Sequence, residues 1–109
     1  AVGAAGNAWI PASVYNIILN VVDGGLDAQR AIEGPRMLIG NGPGGASRVQ
    51  LEDRIPRALL EKLEAMGHTF AKTGRKGEVV QGYAAVALIN GAKGTVEGGS
   101  EPRRTHAAR

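Results

Sequence analysis

The chain has 109 residues, 43% of them hydrophobic, enough for one compact unit and too few for two. Its net charge of +3 is uneven: residues 71–109 carry seven Lys/Arg against three acids, and residues 1–70 six against seven. A basic tail without a stacking platform, in a chain with one Phe, two Tyr and one Trp, reads as a solvated surface and not as a nucleic-acid interface.

No run of about 18 apolar residues occurs, and the longest apolar region, Ile17 to Val22, is broken by Asn20, so no membrane span is expected. The first residues lack a basic start followed by an apolar stretch, so no secretory signal is visible and the compartment stays open. With no cysteine there is neither a disulfide framework nor a thiolate metal site. Seventeen glycines, set without a repeat, punctuate short elements and tight turns.

The chain opens on a glycine-rich loop, Gly3 to Ala8, that runs into a helix. Backbone N–H groups at such a junction have no partner inside the helix and can hold an anion or oxyanion. Ile10, Val14, Ile17, Ile18, Val21 and Val22 mark one face of that helix, with Pro11 in its first turn. Tyr15 and Leu19 make the rest hardly polar, which predicts a helix buried nearly all round. Gly24-Gly25 ends it, and Asp27 caps a short second helix, Ala28 to Glu33, closed by Gly34-Pro35.

Arg36 to Ile39 reads as a strand. Gly40-Asn41-Gly42-Pro43-Gly44-Gly45 matches the dinucleotide fingerprint by letter, but that motif must open a helix, and here Arg48 to Glu52 alternates as a second strand. The reading is a hairpin loop. Pro56 starts a third helix with Leu59, Leu60, Leu63 and Met66 as its stripe and Gly67 as its stop. Thr69 to Thr73 reads as a strand, and Gly74 to Gly77 as a basic turn. Val79 to Ile89 is a strand apolar on both faces, so both should be covered. Asn90-Gly91 turns into a last strand, Gly94 to Gly98. By themselves the residues give a layered α+β unit over 1–109.

Three phrases in order carry a resemblance. They are Gly3-Ala4-Ala5-Gly6-Asn7-Ala8-Trp9-Ile10, then Asn20-Val21-Val22-Asp23-Gly24-Gly25 through Ala31 to Pro35-Arg36, and last Gly98-Gly99-Ser100-Glu101-Pro102-Arg103. The sequence resembles the C-terminal part of the small subunit of gamma-glutamyltranspeptidases, whose corresponding motifs read G-S-P-G-G-S, N-x-x-D-x-G with a later P-R, and G-x-x-D-P-R. The segment from Glu52 to His68 is similar to the same family.

The resemblance implies part of an N-terminal-nucleophile (Ntn) hydrolase αββα sandwich, completed by a partner chain. It implies acyl transfer from an amide through an acyl-enzyme on a Thr, exposed by self-cleavage and carried by another chain, with the large subunit as a further partner. The substrate would be a small amide bearing a carboxylate. Residue 1 is Ala, and no Ser-His-acid set is spaced for catalysis, so the chain should be inert alone.

Carried over residue by residue, Gly6 and Asn7 match the two backbone oxyanion donors; Ala5 is expected at the substrate, and Trp9, beside the loop, is either a packing residue or a wall of the substrate pocket. Arg36 and Arg103 match the two Pro-Arg positions, where each is expected to anchor a strand end or a carboxylate. No cofactor and no metal is implied, because His68 and His106 have no partner at ligand spacing. Asn7 for Gly, Ala4-Ala5 for Ser-Pro and Met37-Leu38-Ile39 for a segment rich in Phe and His place the departures at the acyl specificity. The other reading is a non-catalytic binding or assembly domain on the same fold.

Overall fold

A computed structural model describes residues 1–6, 8–41, 47–72 and 83–103. The order of elements is β1 (Val2–Ala5), α1 (Trp9–Val22), α2 (Ala28–Glu33), β2 (Met37–Asn41), β3 (Ser47–Leu51), α3 (Arg57–Ala65), β4 (Phe70–Lys72), β5 (Tyr83–Asn90) and β6 (Thr95–Ser100). They form two three-stranded sheets, β1-β5-β6 and β2-β3-β4.

In the first sheet β5 is central and antiparallel to both neighbours, with Gly3 opposite Ala85 and Val86 opposite Gly99. Ala84, Val86 and Leu88 turn toward α1 and α2, where Ile17, Ala28, Ala31 and Ile32 complete the core. Small residues allow this close approach. A Cβ on Gly99 would stand 2.5 Å from the Ala28 carbonyl oxygen and 2.8 Å from a Val86 methyl. Because the first obstacle is backbone, Gly99→Ala is expected to lever α2 off β6 and cost about 1–3 kcal/mol, read from denaturant unfolding.

The helices show why chain-local signals worked where they did. Asp27 accepts from the Arg30 N–H at 2.8 Å, a side-chain cap worth about 1 kcal/mol. At the end of α3, Gly67 takes φ 95°, its N–H donates to Glu64 C=O, and the His68 N–H reaches Leu63 C=O. That pair of bonds is a Schellman stop, and it explains Gly67 and the position of His68 without a metal.

Two expectations about burial need correction. Helix α1 is buried along Trp9, Ser13, Asn16 and Ile17, whereas Ile10, Tyr15, Ile18 and Val22 are exposed. Its few polar residues face inward because carbonyls there need donors: Asn16 donates to Met37 C=O at 3.2 Å and Asn20 to Ala31 C=O at 3.0 Å. Helix α3 has no fully buried residue, and Leu59 and Met66 of its stripe are exposed.

The strand forecast from Val79 is described from Tyr83 onward; residues 79–82 lie outside the described residues, as does the basic turn at 74–77. Its inward set is covered, but Tyr83, Ala85 and Ile89 on the other face are exposed, so the described residues cover one face and leave the other open. The hairpin pairing of β2 with β3 runs from Met37–Leu51 to Asn41–Ser47. Its loop, 42–46, lies outside the described residues, but a strand and not a helix follows it, against the dinucleotide reading.

Candidate functional site

The glycine-rich loop sits where β1 ends and α1 begins. Gly6 has φ 128°, which a side chain would not tolerate, and its carbonyl accepts the Trp9 N–H at 3.1 Å. Ala8 is the N-cap of α1 with no side-chain cap bond, and the first turn holds no acid, so no carboxylate there offsets the positive end of the helix. Asn7 lies outside the described residues.

Ala5 pairs with Tyr83 and lines an open cavity of about 310 Å³ together with Gly3, Tyr83, Ala85, Ser100 and Glu101. Trp9, the first residue of α1, is buried. The described part of the loop therefore adjoins a cavity on the open face of the first sheet, floored by small residues.

Arg36 and Arg103 stand elsewhere, and together. Both are buried, and so are Glu52 and Glu101, four charges summing to zero. Arg36 Nη2 lies 2.6 Å from Glu101 Oε2. Arg103 Nη1 lies 2.8 Å from Glu101 Oε1, while its Nε and Nη2 grip the two oxygens of Glu52, the latter at 2.8 Å.

Remaining donors and acceptors are drawn from four places in the fold. Arg103 donates to Ile32 C=O and Gly34 C=O at the end of α2. Glu52 accepts the Arg36 backbone N–H, and half-exposed Arg54 adds a bond at 2.9 Å. Glu101 Oε2 accepts the Ala84 N–H, taking up the ladder where β6 leaves off. Glu101 thus touches the cavity beside the loop and also holds both arginines.

Burial by itself would raise the Glu52 carboxyl, but the bonds and charge of Arg103, with the Arg36 N–H and Arg54, hold it below the usual carboxylate range. Burial works against the Arg103 cation too, yet Glu52 and Glu101 raise it above its ordinary value. Arg36 ends lowered, by burial first and then by the like charge of Arg103, against the pull of Glu101.

A depressed Glu52 stabilises the fold fully above its unfolded value near 4.5, and that stability is lost as pH falls through the lower folded value. Thermal unfolding is therefore expected to steepen in pH dependence below about 4.5, and Glu52→Gln should flatten that slope. A slope unchanged by the substitution would mean another carboxylate governs it.

Glu52 was not singled out from the sequence, since it continues the alternation of Arg48 to Glu52 and so reads as an outward polar residue, whereas in the fold it is buried beside buried Leu51. The available signal was charge: two arginines at anchoring positions need two carboxylates, and Glu101 supplies one. Among the described residues no group of three or more His, Cys, Asp or Glu could hold a metal, and no helix is long and apolar enough to cross a membrane.

A family model described as gamma-glutamyltranspeptidase matches residues 1–109. A glutathione hydrolase proenzyme of Bacillus subtilis (strain 168) is 32% identical over 107 residues, which is 98% of this chain and 17% of that protein. Among solved structures, a cephalosporin acylase from Bacillus halodurans superposes with TM-score 0.78 at 27% identity, over 94% of this chain and 18% of the acylase. A gamma-glutamyltranspeptidase from Pseudomonas nitroreducens gives TM-score 0.75 at 21% identity, over 99% of this chain and 53% of that one. The mixed helix-and-sheet fold is the one those Ntn-hydrolase structures share, and the chain spans less than a fifth of the curated relative's length.

Proposed function

The chain belongs to the gamma-glutamyltranspeptidase family, and from that premise we propose that residues 1–109 are the C-terminal part of the small subunit of an Ntn amidohydrolase or gamma-glutamyltransferase. The observation that carries the reading is the Gly6 junction: a positive-φ glycine between β1 and an uncapped helix start, beside an open cavity.

In this reading a Thr hydroxyl from another chain, its proton taken by that residue's own α-amine, attacks the carbonyl carbon of an amide. The new C–O bond pushes the carbonyl electrons onto oxygen, and the N–H groups of Gly6 and Asn7 receive that charge. Collapse breaks the C–N bond, the amine leaves with the proton, and the acyl-enzyme passes its acyl group to water or an amino acid. Ala5 borders the cavity where the acyl group would lie, with Trp9 buried at the start of α1. Arg36 and Arg103 serve the fold by fixing Glu52 and Glu101, and the reaction has no need of a metal or cofactor. A glutathione hydrolase and a cephalosporin acylase among the relatives are consistent with a small amide bearing a carboxylate.

The test uses the full-length protein with a gamma-glutamyl anilide beside simple amides. Release of the aniline, with an acyl mass on a chain whose first residue is Thr, is the expected result. If that protein contains no such terminus and forms no adduct, the assembly-domain reading replaces this one.

A further inference from the structure

Five asparagines occur in the chain, and Asn41 and Asn90 each stand before a glycine. Gly42 lies outside the described residues, so the Asn-Gly pair described in full is Asn90-Gly91. Asn90 ends β5, pairs with Thr95 and opens the turn into β6, and both members of the pair are exposed.

The Lys93 N–H donates to two acceptors of Asn90 at once, the backbone C=O at 3.2 Å and the side-chain Oδ1 at 3.1 Å. The side-chain amide is therefore folded over the turn, and its carbonyl is polarised by a donor aimed at the oxygen. Gly91 has no side chain to shield its nitrogen, and a Cβ placed there would meet nothing within 4 Å. Among the described residues nothing accepts the Gly91 N–H. Asn16 and Asn20 are the contrast. Their Nδ2 groups are committed to the carbonyls of Met37 and Ala31, and they precede Ile17 and Val21, whose branched side chains crowd nitrogens that lie within α1.

We propose that Asn90 is a site of spontaneous covalent modification, at which the Gly91 nitrogen closes on the Asn90 side chain and asparagine becomes isoaspartate and aspartate. Hydroxide takes the Gly91 amide proton, and the nitrogen attacks Cγ. A new N–C bond forms, and the carbonyl electrons move onto Oδ1, where the Lys93 N–H receives the charge. Collapse breaks the Cγ–Nδ2 bond; Nδ2 takes a proton from water and leaves as ammonia, and a cyclic imide remains. Water then opens the imide. Attack at Cγ gives aspartate, and attack at the main-chain carbonyl gives isoaspartate, whose backbone runs through the side chain. Either product adds a negative charge to a cavity of about 470 Å³ that Asn90 and Gly91 line together with two exposed acids, Asp27 and Glu97. Isoaspartate also lengthens the main chain at the residue paired with Thr95, which opens the hairpin at that rung. The inference is independent of the enzyme reading and of the Gly6 junction.

Ageing the folded full-length protein at neutral and at mildly alkaline pH, followed by peptide mass mapping, tests it. The peptide holding Asn90 should gain about one dalton as NH₂ is exchanged for OH. The gain should grow faster at the higher pH, because the nitrogen must first lose its proton, and an isoaspartyl form should elute apart from the aspartyl one. Gly91→Ala should abolish the gain, since a methyl then shields the nitrogen. No gain at Asn90 in the folded protein, over a time in which the denatured chain is modified there, would overturn the proposal. A gain that Gly91→Ala leaves untouched would overturn it too. So would gains at Asn16 or Asn20 equal to that at Asn90, because exposure and an uncommitted nitrogen would then not select the site.

Discussion

Arg103→Met is expected to destabilise the protein by about 3–5 kcal/mol, because it removes the cation that two buried carboxylates share. Glu52 and Glu101 would be left with Arg36 alone at full burial and Arg54 at the margin. The Gly34 carbonyl would lose the Arg103 donor in the same step, and the Ile32 carbonyl would keep only the longer bond from Arg36. Burial makes the loss severe, since surface ion pairs contribute about 0–1 kcal/mol.

Arg103→Lys keeps the charge and should still fail in part. A lysine cannot present the planar fork that grips both oxygens of Glu52 while also reaching Glu101 and two carbonyls. Pairing Arg103→Met with Glu52→Met should cost less than the two single changes summed, since neither charge is then stranded. Denaturant unfolding of the full-length protein reads all four. A change under about 1 kcal/mol for Arg103→Met would mean that the network is solvated in the assembled protein.

What the sequence disclosed divides along a physical line. Asp27 at its cap, Gly67 at its stop and the β2–β3 hairpin are decided by residues a few positions apart, and their chemistry is readable in the string. Of the glycine-rich loop only the Gly6 junction belongs to that class; Gly3 to Ala5, expected as loop, lie in strand β1, because their partner β5 is far along the chain and nothing local announces it. The orientation of α1 does not, because a helix apolar on most sides has no preferred face until its surroundings supply one. Asn16 and Asn20 turned inward to meet Met37 and Ala31, residues 21 and 11 positions away, and this left Ile18 and Val22 outside.

Glu52 was hidden for a related reason. Its partner Arg103 is 51 positions distant, and nothing local distinguishes a buried glutamate from a solvated one after a strand. The open face of β5 is the converse case: a sequence apolar on both faces states that both are covered, but not by what.

Gly6→Ala is expected to lower kcat by about 10²–10³ while leaving KM within a few-fold, if the Gly6 N–H stabilises charge that exists only in the transition state. The geometry makes the substitution informative. At φ 128° a Cβ is strained, and the angle lies beyond the left-handed well near +60° that asparagine tolerates, so Gly6→Asn should fail as well. Either residue would relax by rotating the peptide, which redirects the Gly6 N–H and unsettles the Trp9 N–H bond to the Gly6 carbonyl. The strain, about 1–3 kcal/mol, also lowers stability, so denaturation has to be measured beside the kinetics. A stable variant that has lost kcat places the defect in the reacting geometry, whereas a raised KM at normal kcat would make the loop a binding element only. Activity within about fivefold of the unaltered protein would show that the charge is received by some other group.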